Sequence, residues 1–206
     1  MLAFAVSAAQ PALAQTAAPA QGSGARTLLI VGDSLSAEYG LQRGSGWPEL
    51  LRRRLADTHP GYRLVNASIS GDTTSGGLSR LPGLLREHRP AIVMLELGSN
   101  DALRGLSLGM TQKNLDAMAQ AARDAGAQVL VVGMQIPPNY GQDYAKRFND
   151  LFRTVAQAHQ ARYVPFLLDG IAADRGMFQA DGLHPTEQAQ PRLLENVWAV
   201  LEPMLR

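Results

Sequence analysis

The sequence predicts an α/β protein built on a parallel β-sheet with helices on both faces. Three observations lead there. Short, continuous apolar runs of strand length recur along the chain. Between them lie stretches whose apolar residues fall at helical spacing. The polar residues that could carry chemistry sit just past the ends of the apolar runs. Strands alternating with helices imply βαβ units and right-handed crossovers, and a sheet covered on both faces needs strands that are apolar throughout.

The first apolar run, 27–31, stops at Gly32. The turn that follows carries Ser34 and Ser36 and is expected to open a helix, with one serine as its capping hydroxyl. A helix is expected over 47–56, where Trp47, Leu50, Leu51 and Leu55 share a face. The second run is 62–67, and Leu78, Leu81, Leu84 and Leu85 mark a helix over 77–87. The third run is 91–97. Leu115, Met118, Ala119 and Ala122 then mark a helix over 111–125, closed by Gly126 as its C′ residue. The fourth run, 128–133, leads to a helix over 143–159 carrying Tyr144, Phe148, Leu151, Phe152 and Val155. The fifth run, 163–166, precedes a last helix over 186–201, with Pro185 ahead of it and Leu194, Val197, Trp198 and Leu201 along it.

Composition narrows the function. The 206 residues suit one domain, expected over 26–206. A formal net charge of +1 points to neither nucleic acid nor an anionic membrane surface as partner. The run Arg52-Arg53-Arg54 lies in a leucine-spaced stretch and reads as a solvated helix face. With no cysteine, disulfides, thiolate catalysis and cysteine metal sites are excluded. His59, His88, His159 and His184 show no metal-ligand spacing, so no metal is expected. His59, His88 and His159 read as surface residues. Residues 1–25 differ from the rest: Leu2 onward is apolar and small, and Ala12-Leu13-Ala14 is an A-x-A cleavage pattern. The segment lacks a basic n-region and is too short to span a bilayer. It is expected to be an export signal with a flexible lead-in, giving a periplasmic or secreted protein with no stable membrane anchor.

Ligands of open parallel sheets sit at the carboxyl ends of the strands. Ser34 follows the first run, "SISGD" the second, "GSND" the third, and "DGLHP" follows the fifth after a loop. A hydroxyl nucleophile needs a base, an orienter for that base, and donors for the oxyanion. Asp181 and His184, three apart in a Gly/Pro-bounded turn, let the carboxylate approach one imidazole nitrogen while the other faces outward. An imidazole titrates near ~6.5 and suits proton transfer. Gly71 offers a bare N–H, Asn100 a side-chain amide, and Ser34 its own N–H. Taken singly, each has an ordinary reading: Ser34 or Ser36 as an N-cap, Asp181 as a turn residue, His184 as a surface histidine, Gly71 and Asn100 as loop residues. Asp33 and Asp101 read as caps or structural acceptors. The complete set, one part per strand end, favours an acyl-transfer site. No serine has the G-x-S-x-G frame of an α/β-hydrolase elbow.

"GDSLSAEYGL", "SISGDTTSGG", "LELGSND" and "DGLHP" resemble the four blocks of the GDSL/SGNH hydrolases, in order and spacing. The resemblance covers nearly all of 27–205 and is greatest to the bacterial periplasmic thioesterase I/lysophospholipase and arylesterase group. "QIPPNYG" resembles that group's substrate-gating loop. The resemblance implies a flavodoxin-like three-layer α/β/α sandwich with a central five-stranded parallel sheet and no cofactor. It implies Ser34 as nucleophile, His184 as base, Asp181 as its orienter, and Ser34, Gly71 and Asn100 as the oxyanion hole. Ser99 departs from the family's commoner Gly or Thr. The implied substrates are acyl thioesters, lysophospholipids and aryl esters. Leu106, Leu108, Met110, Ile136, Pro137, Pro138 and Tyr140 read equally as an acyl groove or as core. A carbohydrate O-acetyl esterase and a non-catalytic binding module are the alternatives.

Overall fold

Five parallel strands form one sheet in the order β2-β1-β3-β4-β5. They are β1 (Arg26–Gly32), β2 (Tyr62–Asn66), β3 (Ile92–Glu96), β4 (Gln128–Val132) and β5 (Arg162–Val164). The structure is a computed structural model and describes residues 24–136 and 138–205, with the backbone alone at Pro138. Residues 1–23 of the expected export signal lie outside the described residues.

The helices are α1 (Trp47–Thr58), α2 (Thr74–His88), α3 (Ser99–Leu103), α4 (Leu108–Asp124), α5 (Gln142–Ala158) and α6 (Gln190–Leu201). α1 and α6 pack together on one face of the sheet; α2, α4 and α5 cover the other. This is the three-layer α/β/α architecture that the sequence predicts. β1 and β3 are buried from Thr27 to Gly32 and from Ile92 to Glu96, as strands covered on both faces must be. The chain leaves β1 for one face and β3 for the other, so the crevice at the switch point opens between the turn carrying Ser34 and the start of α3, which carries Asn100. Among the described residues, no helix is long and apolar enough to cross a membrane.

Three local expectations are corrected. No helix follows Gly32: residues 34–40 form a turn, and α1 starts at Trp47. Glu38 and Gly40 take φ of 58° and 69°, which ends any helical course begun at Asp33. α3 was not expected, because five residues are too short to show a period. The last helix begins at Gln190, after a 3₁₀ turn at Glu187–Ala189.

The arginine run behaves as a solvated face: Arg52 and Arg53 pair with Glu49, and Arg54 with Glu195. His159 is more buried than expected, with Nε2 3.1 Å from Asp116 Oδ1. The core centres on Trp47, Phe148, Phe152 and the leucines of β1 and β3. Phe148 and Phe152 meet edge to face at 5.1 Å. A Cβ on Gly98 would stand 3.2 Å from the Phe152 ring, so that ring backs the turn leading to Asn100. Phe152→Ala is therefore expected to lower stability by about 3–5 kcal/mol, read from the urea midpoint. An unchanged midpoint would show that the ring is not a core element.

Candidate active site

The turn after β1 is held at every exit. Asp33 Oδ1 accepts from the Leu35 N–H at 3.0 Å, and the Asp33 carbonyl accepts from the Ala37 N–H at 2.9 Å. Trp47 Nε1 donates to the Leu35 carbonyl and Asn66 Nδ2 to the Ser36 carbonyl, at 3.1 and 2.7 Å. Ser34 is thereby presented at the carboxyl edge of the sheet with its hydroxyl outward. Its N–H has no acceptor among the described residues. This N–H belongs to a tied turn rather than to a helix N-terminus.

Ser34 Oγ stands 2.9 Å from His184 Nε2, and His184 Nδ1 stands 2.6 Å from Asp181 Oδ2. A carboxylate only accepts, so Nδ1 carries the hydrogen and Nε2 is left to accept from the serine hydroxyl. The other Asp181 oxygen accepts from the backbone N–H groups of Leu183 and His184, at 2.9 and 3.0 Å. These backbone bonds, with the imidazole bond after them, pull the Asp181 carboxyl down to about 2. It is ionised at any pH where an imidazole is neutral. The imidazole is also fixed from behind: the Tyr39 ring lies 4.4 Å from it. Gln179 clasps the loop, its N–H donating to the His184 carbonyl and its Nε2 to the Tyr39 and Pro185 carbonyls.

Gly71 has φ of 77°, a conformation that glycine adopts freely, and its N–H has no acceptor among the described residues. Arg104 Nη2 donates to the Gly71 carbonyl at 2.8 Å, which fixes the peptide's direction. Asn100 Nδ2 donates to Asp33 Oδ2 at 3.1 Å and to the Asp72 carbonyl at 2.9 Å. Asp101, next along, is buried and takes Thr74 N–H, Thr74 Oγ1 and Thr111 Oγ1, joining α2, α3 and α4 beneath the site. Ser34, His184 and Asp181 thus form one hydrogen-bonded line, and Asn100 ties the residue before Ser34 to the one after Gly71. Residues 30–191 match the model of the GDSL-like lipase/acylhydrolase family. The chain belongs to that family.

Its similarity to individual members is high. It is 55% identical over 185 residues to the esterase TesA of Pseudomonas aeruginosa, covering 90% of this chain and 92% of that one. It is 37% identical to the thioesterase 1/protease 1/lysophospholipase L1 of Escherichia coli, covering 90% and 88%. A crystal structure of TesA superposes with a TM-score of 0.85 at 55% identity, covering 87% of this chain and 99% of that chain. The fold is that of this lipase/acylhydrolase family.

Beside Ser34 and His184 opens a cleft of about 510 Å³ lined by Met134, Ile136, Phe166, Leu168, Phe178 and Leu183 among others. Ile136, which the sequence left open between groove and core, is buried and borders the cleft. Leu106 and Tyr140 are exposed and do not line the cleft, Met110 is exposed in the first turn of α4, and Leu108 is buried in the core. Pro137 and the Pro138 side chain lie outside the described residues. The missed wall comes from the loops after β4 and β5, which no local pattern links to Ser34. A larger, shallower depression of about 680 Å³ lies at the opposite end of β4 and β5 and holds none of the expected residues.

Two carboxylates lie under the turn. Glu96, wholly buried at the end of β3, accepts from Ser36 Oγ at 2.6 Å and from the Asp33 N–H at 3.3 Å. Ser36 is therefore a buried tie and not a helix cap. A Cβ on Gly32 would fall 2.8 Å from Glu96 Oε2, so the carboxylate can cross there only above a glycine. A charged residue ending an otherwise apolar strand, "IVMLE", was the available signal for this group. Burial drives the Asp33 carboxyl from its ordinary 3.8 up to about 6, against the bonds from Leu35 and Asn100 and the nearby imidazole. Burial and the neighbouring Asp33 push Glu96 well above the usual range.

A carboxyl whose folded pKa is raised stabilises the fold below its unfolded pKa and loses that contribution as pH rises through the folded value. Asp33 and Glu96 both act in this direction. The Tm is expected to fall between pH 5 and pH 7, and Glu96→Gln should shrink that fall. An equal fall in both proteins would show that the buried pair does not titrate in this window.

Proposed function

We propose that the protein is a serine esterase that hydrolyses carboxylic esters and thioesters through an acyl-enzyme. The observation that carries this reading is the Ser34–His184–Asp181 line, with separations of 2.9 and 2.6 Å, at the mouth of the apolar cleft. Ser34 Oγ attacks the acyl carbonyl as His184 Nε2 takes the hydroxyl proton. The carbonyl π pair moves onto oxygen, which the Ser34 and Gly71 N–H groups and the Asn100 amide receive. The pair returns to re-form the carbonyl, the alcohol or thiol leaves, and His184 delivers the proton to it. Water, deprotonated by the same nitrogen, then releases the carboxylic acid and restores Ser34. Ionised Asp181 stabilises the imidazolium at each stage.

The esterase and thioesterase relatives support esters and thioesters as the substrate class. The cleft supports an acyl chain longer than acetyl, because its wall is aliphatic and aromatic. Each methylene taken from water into such a wall is worth about 0.8 kcal/mol, roughly fourfold in kcat/KM. The proposed domain is 26–206, with 1–25 as an export signal.

Ser34→Ala should abolish hydrolysis of p-nitrophenyl esters with the Tm intact, and a fluorophosphonate should label Ser34 in the native protein but not in His184→Ala. Turnover by Ser34→Ala would sink the assignment, and absence of labelling would favour a binding module. Protonated His184 cannot accept the hydroxyl proton, so kcat/KM should fall on acidification; full turnover by His184→Ala would count against it as base. Across a p-nitrophenyl ester series, kcat/KM should climb about fourfold per methylene until the cleft is filled. Ile136→Trp should move that optimum to shorter chains. A maximum at acetyl would instead favour an O-acetyl esterase.

A further inference from the structure

The proposed reaction uses Asn100 as a donor but does not explain how its amide comes to face the site with nitrogen rather than oxygen. The two ends of an asparagine amide are nearly the same size, so packing alone hardly distinguishes them. Hydrogen bonding does. A carboxylate oxygen has no hydrogen to give when ionised and therefore selects the NH₂ end of any amide beside it. Asp33 Oδ2 stands 3.1 Å from Asn100 Nδ2, and the Asp72 carbonyl, a second pure acceptor, stands 2.9 Å from the same nitrogen. Asp33 is itself tied on two sides: its Oδ1 accepts from the Leu35 N–H and its own N–H donates to Glu96. It is almost wholly buried, in direct sequence contact with Ser34.

We propose that Asp33 is a positioning residue of the oxyanion hole, whose carboxylate holds the Asn100 amide nitrogen toward the reacting carbonyl. This rests on the reading of Asn100 as an oxyanion donor. With the nitrogen so placed, an incoming oxyanion shares one of the two amide hydrogens and no side-chain rotation is needed. With the amide reversed, a carbonyl lone pair would face the developing negative charge. Holding the donor in place before reaction is what makes such a site effective. The charge of Asp33 has a second partner at that moment, because His184, which lies within electrostatic reach of it, becomes an imidazolium as the oxyanion forms.

Asp33→Asn is the informative change, because geometry dictates its outcome. The Leu35 N–H demands an oxygen at the Oδ1 position, which places the new NH₂ group against the Asn100 NH₂ group. Two donors then face each other, and the Asn100 amide must turn over or away. On p-nitrophenyl butyrate, D33N should lose about 10²-fold in kcat with KM little changed, close to the loss in N100A. The double variant should be no slower than N100A alone, since Asp33 has nothing left to position. A role in folding only would instead lower the amount of active protein, and active-site titration with a fluorophosphonate separates that from a slower site. D33N with unaltered kcat beside a crippled N100A, or losses that multiply in the double variant, would overturn the positioning role. N100A with unaltered kcat would overturn the oxyanion reading beneath it.

Should D33N not fold, the unaltered protein still carries the test. The side-chain amide signals of Asn100, identified by their loss in N100A, should shift with the ¹³C resonance of the Asp33 carboxyl as pH is varied. The other titratable groups facing Asp33 are His184, Asp72 and Glu96. Following the Asp33 resonance itself separates their effects from its own. Amide signals that do not follow it would overturn the proposal.

Discussion

The join between β1 and β3 at their carboxyl ends is the contact on which the rest of the site depends. Gly32 lies opposite Glu96 in the sheet, and the Glu96 carboxylate crosses above that glycine to take the Ser36 hydroxyl and the Asp33 N–H. One buried group therefore grips the residues on both sides of Ser34. The arrangement is costly, because a carboxyl group has been removed from water and one of its oxygens, Oε1, finds no partner among the described residues. A neutral, apolar residue would be more comfortable at the end of β3, but it could not hold two donors at once. Stability is spent here on the shape of a turn.

From that join the geometry spreads by single bonds. Asp33 reaches Leu35 on one side and Asn100 on the other. Asn100 reaches the loop after β2 through the Asp72 carbonyl, and Arg104 returns to the same loop at Gly71. The three proposed oxyanion donors thus stand on three different segments, two loops and the start of α3, linked by polar contacts. The Gly32 carbonyl accepts from the Ile69 N–H, so the first and second of these segments are joined directly as well.

Much of this was legible in the sequence. The five strands and the five longer helices follow from apolar runs and helical spacing, both local properties. Asp181 and His184 could be paired from their spacing alone, since a three-residue turn brings carboxylate and ring together. What stayed hidden depends on contacts between distant segments. Leu106 and Tyr140 are as apolar as Phe166 and Phe178, yet only the second pair reaches the cleft, and no neighbouring residue records the difference. Ser36 reads as a cap because its true acceptor lies sixty positions away in sequence. Gln179 was silent because a glutamine in a loop is unremarkable until its carbonyl partners at Tyr39 and Pro185 are seen.

The proposed nucleophile and its base hang from very different parts of the molecule. Ser34 issues from β1, which has a strand on either side, whereas His184 sits on a long loop beyond the short edge strand β5, held by the Gln179 clasp and the Tyr39 ring. Regions of few buried contacts open at lower free energy than the sheet's centre. Mild heat or denaturant would accordingly release the imidazole while the hydroxyl stayed in place. The protein would then fall silent before it unfolds, and recover on cooling at the speed of a loop closing rather than of a chain refolding.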